Sequence, residues 1–146
     1  MTDHRRGVSR PPARELELTA FREAHRDAYL RYAQARIDDQ AQARACVDAV
    51  FDALAAHWLA VLGSACPAAR VWAGLRGATE HRMWRERVRA GEYHTVLRGD
   101  QADIMLLRHR LRMPVDQAAS LMGLTGHDGR ALLRGAERDF GRTLGH

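Results

Sequence analysis

Apolar residues in the first half of the chain recur every three or four positions, which is the spacing of amphipathic α-helices. The pattern predicts one helix from Leu16 to Ile37, a second from Ala43 to Leu62 and a third from about residue 68 to 89. The pair Asp38-Asp39 marks the first break, and Gly63-Ser64 marks the second, because such residues favour helix ends and turns.

The second half of the chain has the same helical spacing after a short segment bounded by glycines. This segment, residues 91–99 (GEYHTVLRG), is predicted to be a linker. Pro114 stands where proline can begin a helix, and Gly123 stands where glycine can end one. No strand-like alternation competes with the helical pattern. Three helices are therefore predicted, at about 100–112, 115–122 and 127–143.

These elements predict an all-α protein made of two small helical domains. A polar, Pro-containing arm at residues 1–14 is expected to be disordered. A helical domain is expected at 15–90 and a trihelical domain at 100–146, joined by the linker at 91–99. With 146 residues, the chain is long enough to bury a core without a disulfide or a metal.

The charge balance favours a polyanionic partner. All 23 Lys-or-Arg positions are arginine, against 18 acidic residues, and the formal net charge is +5. Residues 1–14 lack the apolar run of a secretory leader, and no stretch is long enough to span a membrane. Cys46 and Cys66 are then expected to be reduced thiols. The sequence thus predicts a cytoplasmic protein with no membrane attachment.

Motifs for catalysis or cofactor binding are not found in the sequence. It contains no nucleophile elbow, phosphate loop or dinucleotide-binding turn. Its eight histidines are scattered without the spacing of metal ligands. We therefore expect no enzyme activity, no cofactor and no metal.

Residues 116–135 (DQAASLMGLTGHDGRALLRG) have the spacing of a helix-turn-helix. The two helices of that motif cross steeply, so Ala119 suits the crossing and Gly123 suits the tight turn. Gly129 and Gly135 are predicted to leave holes where side chains would pack, and to soften the second helix by up to about 1 kcal/mol each. The residues of this helix expected to point toward DNA are His127, Asp128, Arg130, Arg134 and Arg138. The alternative is a plain trihelical bundle whose arginines form a solvated face.

Two longer segments resemble the sigma-70 family of RNA polymerase sigma factors. "FREAHRDAYLRYAQARIDD" and "ARACVDAVFDALAAHW" resemble region 2, with Ala43, Val47 and Phe51 at the positions of its second helix. "DIMLLRHRLRMPVDQAASLMGLTGHDGRALLRGAERDF" resembles region 4, which binds the −35 element. The resemblance covers about residues 18–85 and 100–142, in the family's order, and is greatest to the small extracytoplasmic-function type of actinobacteria.

The resemblance implies partners and a role for several residues. The partners are RNA polymerase core, through the β′ clamp helices with the β flap as a further candidate surface, double-stranded promoter DNA, and an anti-sigma protein as a regulator. The residues that would bind polymerase are Arg44, Asp48, Ala49 and Asp52. The residues that would contact the −10 element are Arg70, Arg76, Thr79 and Arg82. Residues His127, Asp128, Arg130 and Arg134 would lie near the −35 major groove.

Aromatic residues offer one more candidate DNA contact. Trp84 lies between Arg82 and Arg85, where it could stack on an unpaired base for about 1–3 kcal/mol. Trp58 and Trp72 fall on apolar faces and are predicted to be core residues.

Two functions remain open from the sequence. The first is a sigma-like regulator that directs transcription initiation. The second is an interaction module that keeps the sigma fold and binds polymerase or a regulatory protein without promoter-specific initiation. The second is favoured by Arg44 and Ala45, which stand where the family commonly has an acidic pair, and by the additional glycines.

Overall fold

The computed structural model describes residues 13–86 and 92–143 of the chain. The described residues are almost entirely helical and contain no β-strand, which confirms the all-α class. The predicted disordered arm lies outside the described residues as far as residue 12, and Ala13 already begins the first helix. The helices are α1 (Ala13–Arg36), α2 (Gln40–Ala56), α3 (Trp58–Leu62), α4 (Pro67–Glu86), α5 (Glu92–Val96), α6 (Gly99–Met105), α7 (Val115–Met122) and α8 (Gly126–Thr143).

The break between α1 and α2 lies where the sequence predicts it. Asp39 caps α2, because its Oδ1 accepts hydrogen bonds from the backbone N–H groups of Ala41 (2.8 Å) and Gln42 (3.1 Å). The second predicted helix is not continuous. It is interrupted at His57, whose φ of −124° and ψ of 24° leave the helical region. After this break α3 turns Trp58 and Val61 into the core.

A cluster of aromatic rings fills the core between α1, α2 and α4. The rings of Tyr29 and Phe51 stack with centroids 5.6 Å apart, and Trp72 packs on Tyr32 at 4.6 Å. Trp58 and Trp72 are both buried, so their prediction as core residues is confirmed.

The segment predicted to be a linker is partly helical and packed. Its residues 92–96 form α5, and the ring of Tyr93 lies 5.0 Å from that of Phe140 on α8. The two halves also touch directly, because the thiol of Cys66 donates to the backbone oxygen of Gly123 at 3.3 Å. Buried residues of both halves form one continuous core, so the described residues do not show the expected separation into two lobes.

The helix predicted at 100–112 changes its winding before it ends. After α6, residues Leu106–Arg110 form a π-helical turn, and Leu111 N donates to Leu106 O at 3.0 Å. Arg112 then takes a positive φ of 58°, which leads the chain into α7. None of the described helices combines the length and apolar character that crossing a lipid bilayer requires.

Candidate nucleic-acid interface

The turn between α7 and α8 has the geometry that the sequence predicts for a helix-turn-helix. Gly123 takes a φ of 82°, in the left-handed region that glycine enters without steric cost. Leu124 N donates to Ala119 O at 2.7 Å and so closes the end of α7. The Thr125 hydroxyl accepts from Asp128 N at 3.0 Å and caps the start of α8.

The crossing of α7 over α8 is tight because both helices present their smallest residues there. Gly129 and Ala119 are buried, and a Cβ atom added at Gly129 would overlap the Cβ of Ala119. The prediction that Gly129 leaves a hole is therefore wrong at this position. The glycine allows the close approach, and a bulky aliphatic residue would have no room.

Replacing Gly129 by alanine is expected to destabilise the protein by about 1–3 kcal/mol, because α7 and α8 must move apart to admit the methyl group. The midpoint of urea unfolding measures the effect. Gly77→Ala in α4 is the matched control, since a Cβ there would meet nothing within 4 Å. That control should stabilise the protein by up to about 1 kcal/mol, as expected for an exposed helical glycine. If both variants gain stability equally, the crossing of α7 and α8 has room for a methyl group.

One face of α8 is basic and exposed. His127, Arg130, Arg134 and Arg138 recur at helical spacing and are all exposed, whereas Gly129, Ala136 and the half-buried Leu132, Leu133 and Phe140 line the opposite face. Arg130 is paired with Asp116 of α7 at 2.7 Å. Asp128, also exposed, lies in the first turn, where an acidic side chain stabilises the positive end of the helix dipole.

Arginine side chains on this face differ in how far they are already engaged. Arg134 forms no ion pair with another described residue, and Arg138 only approaches Asp139 at 3.9 Å. An exposed pair such as Arg130–Asp116 is worth about 1 kcal/mol or less, so it can be exchanged for a phosphate at little cost. The face therefore presents three exchangeable guanidinium groups along about two turns of helix.

The residues on α4 predicted to contact the −10 element are placed differently. Arg70 is exposed, but Thr79 is fully buried, where its hydroxyl donates to Arg76 O at 2.8 Å and accepts from Arg36 at 3.2 Å. Thr79 thus does not face solvent, which corrects its expected orientation. Arg82 is half-buried and donates to Gln42, and the side chain of Trp84 lies outside the described residues.

Arg76 is held in a buried polar cluster centred on Asp103. Its Nε donates to Asp103 Oδ2 at 2.6 Å, and Trp72 Nε1 donates to the same oxygen at 2.8 Å. The other oxygen, Oδ1, accepts from the Tyr32 hydroxyl at 2.6 Å and lies 2.7 Å from His94 Nε2. Side chains of α1, α4 and α5 thus converge on one carboxylate of α6.

Hydrogen bonding keeps the Asp103 carboxylate charged despite its burial. Burial alone would raise the pKa of Asp103, but the hydrogen bonds from His94, Tyr32 and Arg76 outweigh it and hold the pKa below its usual value. Burial also raises the pKa of the Tyr32 hydroxyl well above its usual value, so Tyr32 remains a donor. The cluster is not among the sites predicted from the sequence, although a lone Asp beside the apolar run "IMLL" is a signal of a buried, paired carboxylate.

The residues predicted to bind polymerase lie along α2. Arg44, Ala49 and Asp52 are exposed. Asp48 is half-buried and paired with two arginines of α1, Arg26 at 3.0 Å and Arg22 at 3.9 Å. This face of α2 is therefore accessible, but one of its carboxylates is already engaged.

No group of three or more His, Cys, Asp or Glu side chains in residues 13–86 and 92–143 is arranged to hold a metal ion. Comparison of the chain with models of protein families, with curated proteins and with solved structures finds no match. Function must accordingly be inferred from the residues and the geometry described above.

Proposed function

We propose that this protein is a sigma-like transcription regulator that binds duplex promoter DNA by placing α8 in the major groove. The observation that carries the proposal is the α7–turn–α8 unit, in which a tight crossing fixes α8 and leaves its basic face exposed. Its partners are RNA polymerase core and double-stranded DNA, and its site of action is the cytoplasm.

The exposed arginines suit both components of DNA recognition. A guanidinium can neutralise phosphates, which supplies sequence-independent affinity, or bind the O6 and N7 atoms of guanine, which supplies specificity. The net charge of +5 favours approach to DNA from any direction. Arg44 and Ala49, exposed on α2, remain available for polymerase.

Arg134→Ala is expected to weaken binding of a short fluorescent duplex about fivefold or more, because a base-contacting arginine is worth about 1–3 kcal/mol. Fluorescence anisotropy at several salt concentrations measures both the affinity and its salt slope. If Arg134 binds a phosphate, the magnitude of the slope should be smaller in the variant by about one. The duplexes come from selection out of a randomised pool, so that sequence preference is tested together with affinity.

Arg44→Ala is the matched control, since it removes the same charge from an exposed helical position on α2. It should leave DNA affinity within about twofold of the original, apart from the small effect of net charge. If both variants lose affinity equally, α8 is not the DNA-binding surface. If the natural chain selects no sequence and binds no duplex at low salt, the proposal is wrong.

A second candidate function follows from the Asp103 cluster. Arg76, which would face the −10 element, is held by Asp103 between the two halves, and Thr79 is buried against Arg36 of α1, so the surface that would open promoter DNA is partly covered. This favours an interaction module that binds polymerase or a regulatory protein without initiating transcription. Start-site-specific transcription from a selected promoter by core polymerase supports the first function. Binding to core on a sizing column without transcription supports the second.

A further inference from the structure

The longest charge-free stretch of the chain lies on the surface where α2, α3 and α4 meet. Between Asp52 and Arg70 the sequence ALAAHWLAVLGSACPAA contains no Asp, Glu, Lys or Arg, although 28% of the whole chain is charged. Leu59 is 61% exposed and Leu62 is 38% exposed, and few large apolar side chains of the described residues are so accessible. Larger exposed apolar patches mark interaction sites in proteins, so this surface is a candidate for one.

Two apolar grooves flank the short helix α3. The first, of about 440 Å³, lies between Leu18 of α1 and the α2–α3 junction, and Leu59 forms part of its wall. The second, of about 330 Å³, lies between α2 and α4, and its lining includes Ala53, His57 and Gly74. Exposed leucine side chains and two apolar grooves thus occur together around α3. A surface with both features can pack against a copy of itself, as a two-fold interface requires.

The charges at the ends of this stretch are opposite in sign. Asp52 is exposed at its beginning and Arg70 is exposed at its end, and neither forms an ion pair with another described residue. When a two-fold axis pairs the stretch with a second copy, the acidic end of one copy can meet the basic end of the other. The same pair then forms twice, once on each side of the axis. We propose that this surface, residues 52–70, is the interface of a homodimer, with Asp52 of each copy paired with Arg70 of the other.

A second copy fits this surface better than a partner of strong charge does. The protein has a net charge of +5, so two copies repel wherever their basic surfaces approach. The stretch from residue 53 to 69 carries none of that charge and therefore allows contact without like-charge repulsion. A highly acidic or basic partner would find no groups to pair with along it, except at its two ends.

Complementary charge reversals test the pairing. Arg70→Asp and Asp52→Arg are each expected to weaken the dimer about tenfold or more, because each places like charges opposite one another twice. Mixing the two variants should restore association. In the mixed dimer the carboxylate introduced at position 70 of one chain faces the guanidinium introduced at position 52 of the other, and the second pair is the natural one. Sedimentation equilibrium at low salt measures the monomer–dimer association of four samples. These are the natural chain, each of the two variants and their equimolar mixture. No folding defect of a single variant can produce recovery in the mixture.

Leu59→Asp tests the apolar part of the interface, with Val96→Asp as the control. Both residues are exposed, but Val96 lies on α5, outside the proposed surface. Leu59→Asp should abolish the dimer, and Val96→Asp should leave it intact. The proposal is overturned if the natural chain remains monomeric at every concentration, if the mixture does not recover, or if Leu59→Asp dimerises as the natural chain does.

Discussion

Asp103→Ala is expected to remove about 3 kcal/mol or more from the free energy of unfolding, because it breaks a buried charged cluster. The carboxylate accepts hydrogen bonds from Tyr32, Trp72 and Arg76 and pairs with His94, and alanine removes this shared partner from all four. Arg76 is 25% exposed and can reach water, which places the loss toward the lower end of the range for broken buried pairs. Urea unfolding followed by circular dichroism measures the change.

Asp116→Ala is the control for this variant. Asp116 also pairs with an arginine, at 2.7 Å, but its side chain is 70% exposed, so its removal should cost less than about 1 kcal/mol. If both aspartates contribute equally, the buried cluster does not hold the two halves together.

The response to acid provides a second measurement on the same variant. The pKa of Asp103 is lower in the folded protein than in the unfolded chain. The contribution of Asp103 to the free energy of unfolding is therefore fully present above the unfolded pKa of about 4. That contribution is lost as the pH falls through the lower, folded value. The natural chain should therefore lose stability below about pH 4 more steeply than Asp103→Ala does. If the two proteins lose stability equally steeply below pH 4, Asp103 is not a carboxylate that folding stabilises in its charged form.

Gly123→Ala is expected to destabilise the protein by about 2–5 kcal/mol, for two reasons that add. A left-handed φ of 82° costs a residue with a Cβ about 1–2 kcal/mol. The added Cβ would also overlap the backbone N and Cα of Ala69, so the start of α4 must move away from the turn. Overpacking of this kind costs about 1–3 kcal/mol. Thermal unfolding measures the total.

Two further variants separate these causes. Ala69→Gly combined with Gly123→Ala should restore little, because the overlap involves the backbone of Ala69 and not only its side chain. Gly135→Ala in α8, where the nearest atom is the mobile end of Arg138, should be neutral or mildly stabilising. If the double variant regains the full thermal stability of the natural chain, the turn contacts only the side chain of Ala69.

Helix boundaries could be predicted from the sequence because their signals are local. Asp39 caps α2 through N–H groups two and three residues away, and Gly123 ends α7 through its own backbone angle. The break at His57 could not be predicted in this way. Apolar spacing continues unchanged through it, so the sequence pattern does not mark the break, after which Trp58 and Val61 are buried.

Contacts between the two halves could not be predicted, since they join residues that are distant in sequence. Gly129 shows a related difficulty: a helical glycine can leave a hole or allow a close approach, and the choice depends on what faces it, here Ala119. The resemblance to sigma region 2 implies an exposed Thr79, whereas Arg36 of α1 covers it. The basic face of α8 could be predicted because exposure there follows from helical spacing.

The Asp103 cluster also has a consequence for the order in which the chain assembles during translation. The hydrogen bond from Tyr32 to Asp103 joins residues 71 positions apart, and that from Trp72 joins residues 31 apart. While the ribosome is still making α5, the hydroxyl, indole and guanidinium groups of α1 and α4 have no carboxylate to bind. The first half is therefore expected to leave the exit tunnel as a loosely packed helical intermediate that proteases and chaperones can bind. The buried polar cluster of that half cannot form until Asp103 has been made.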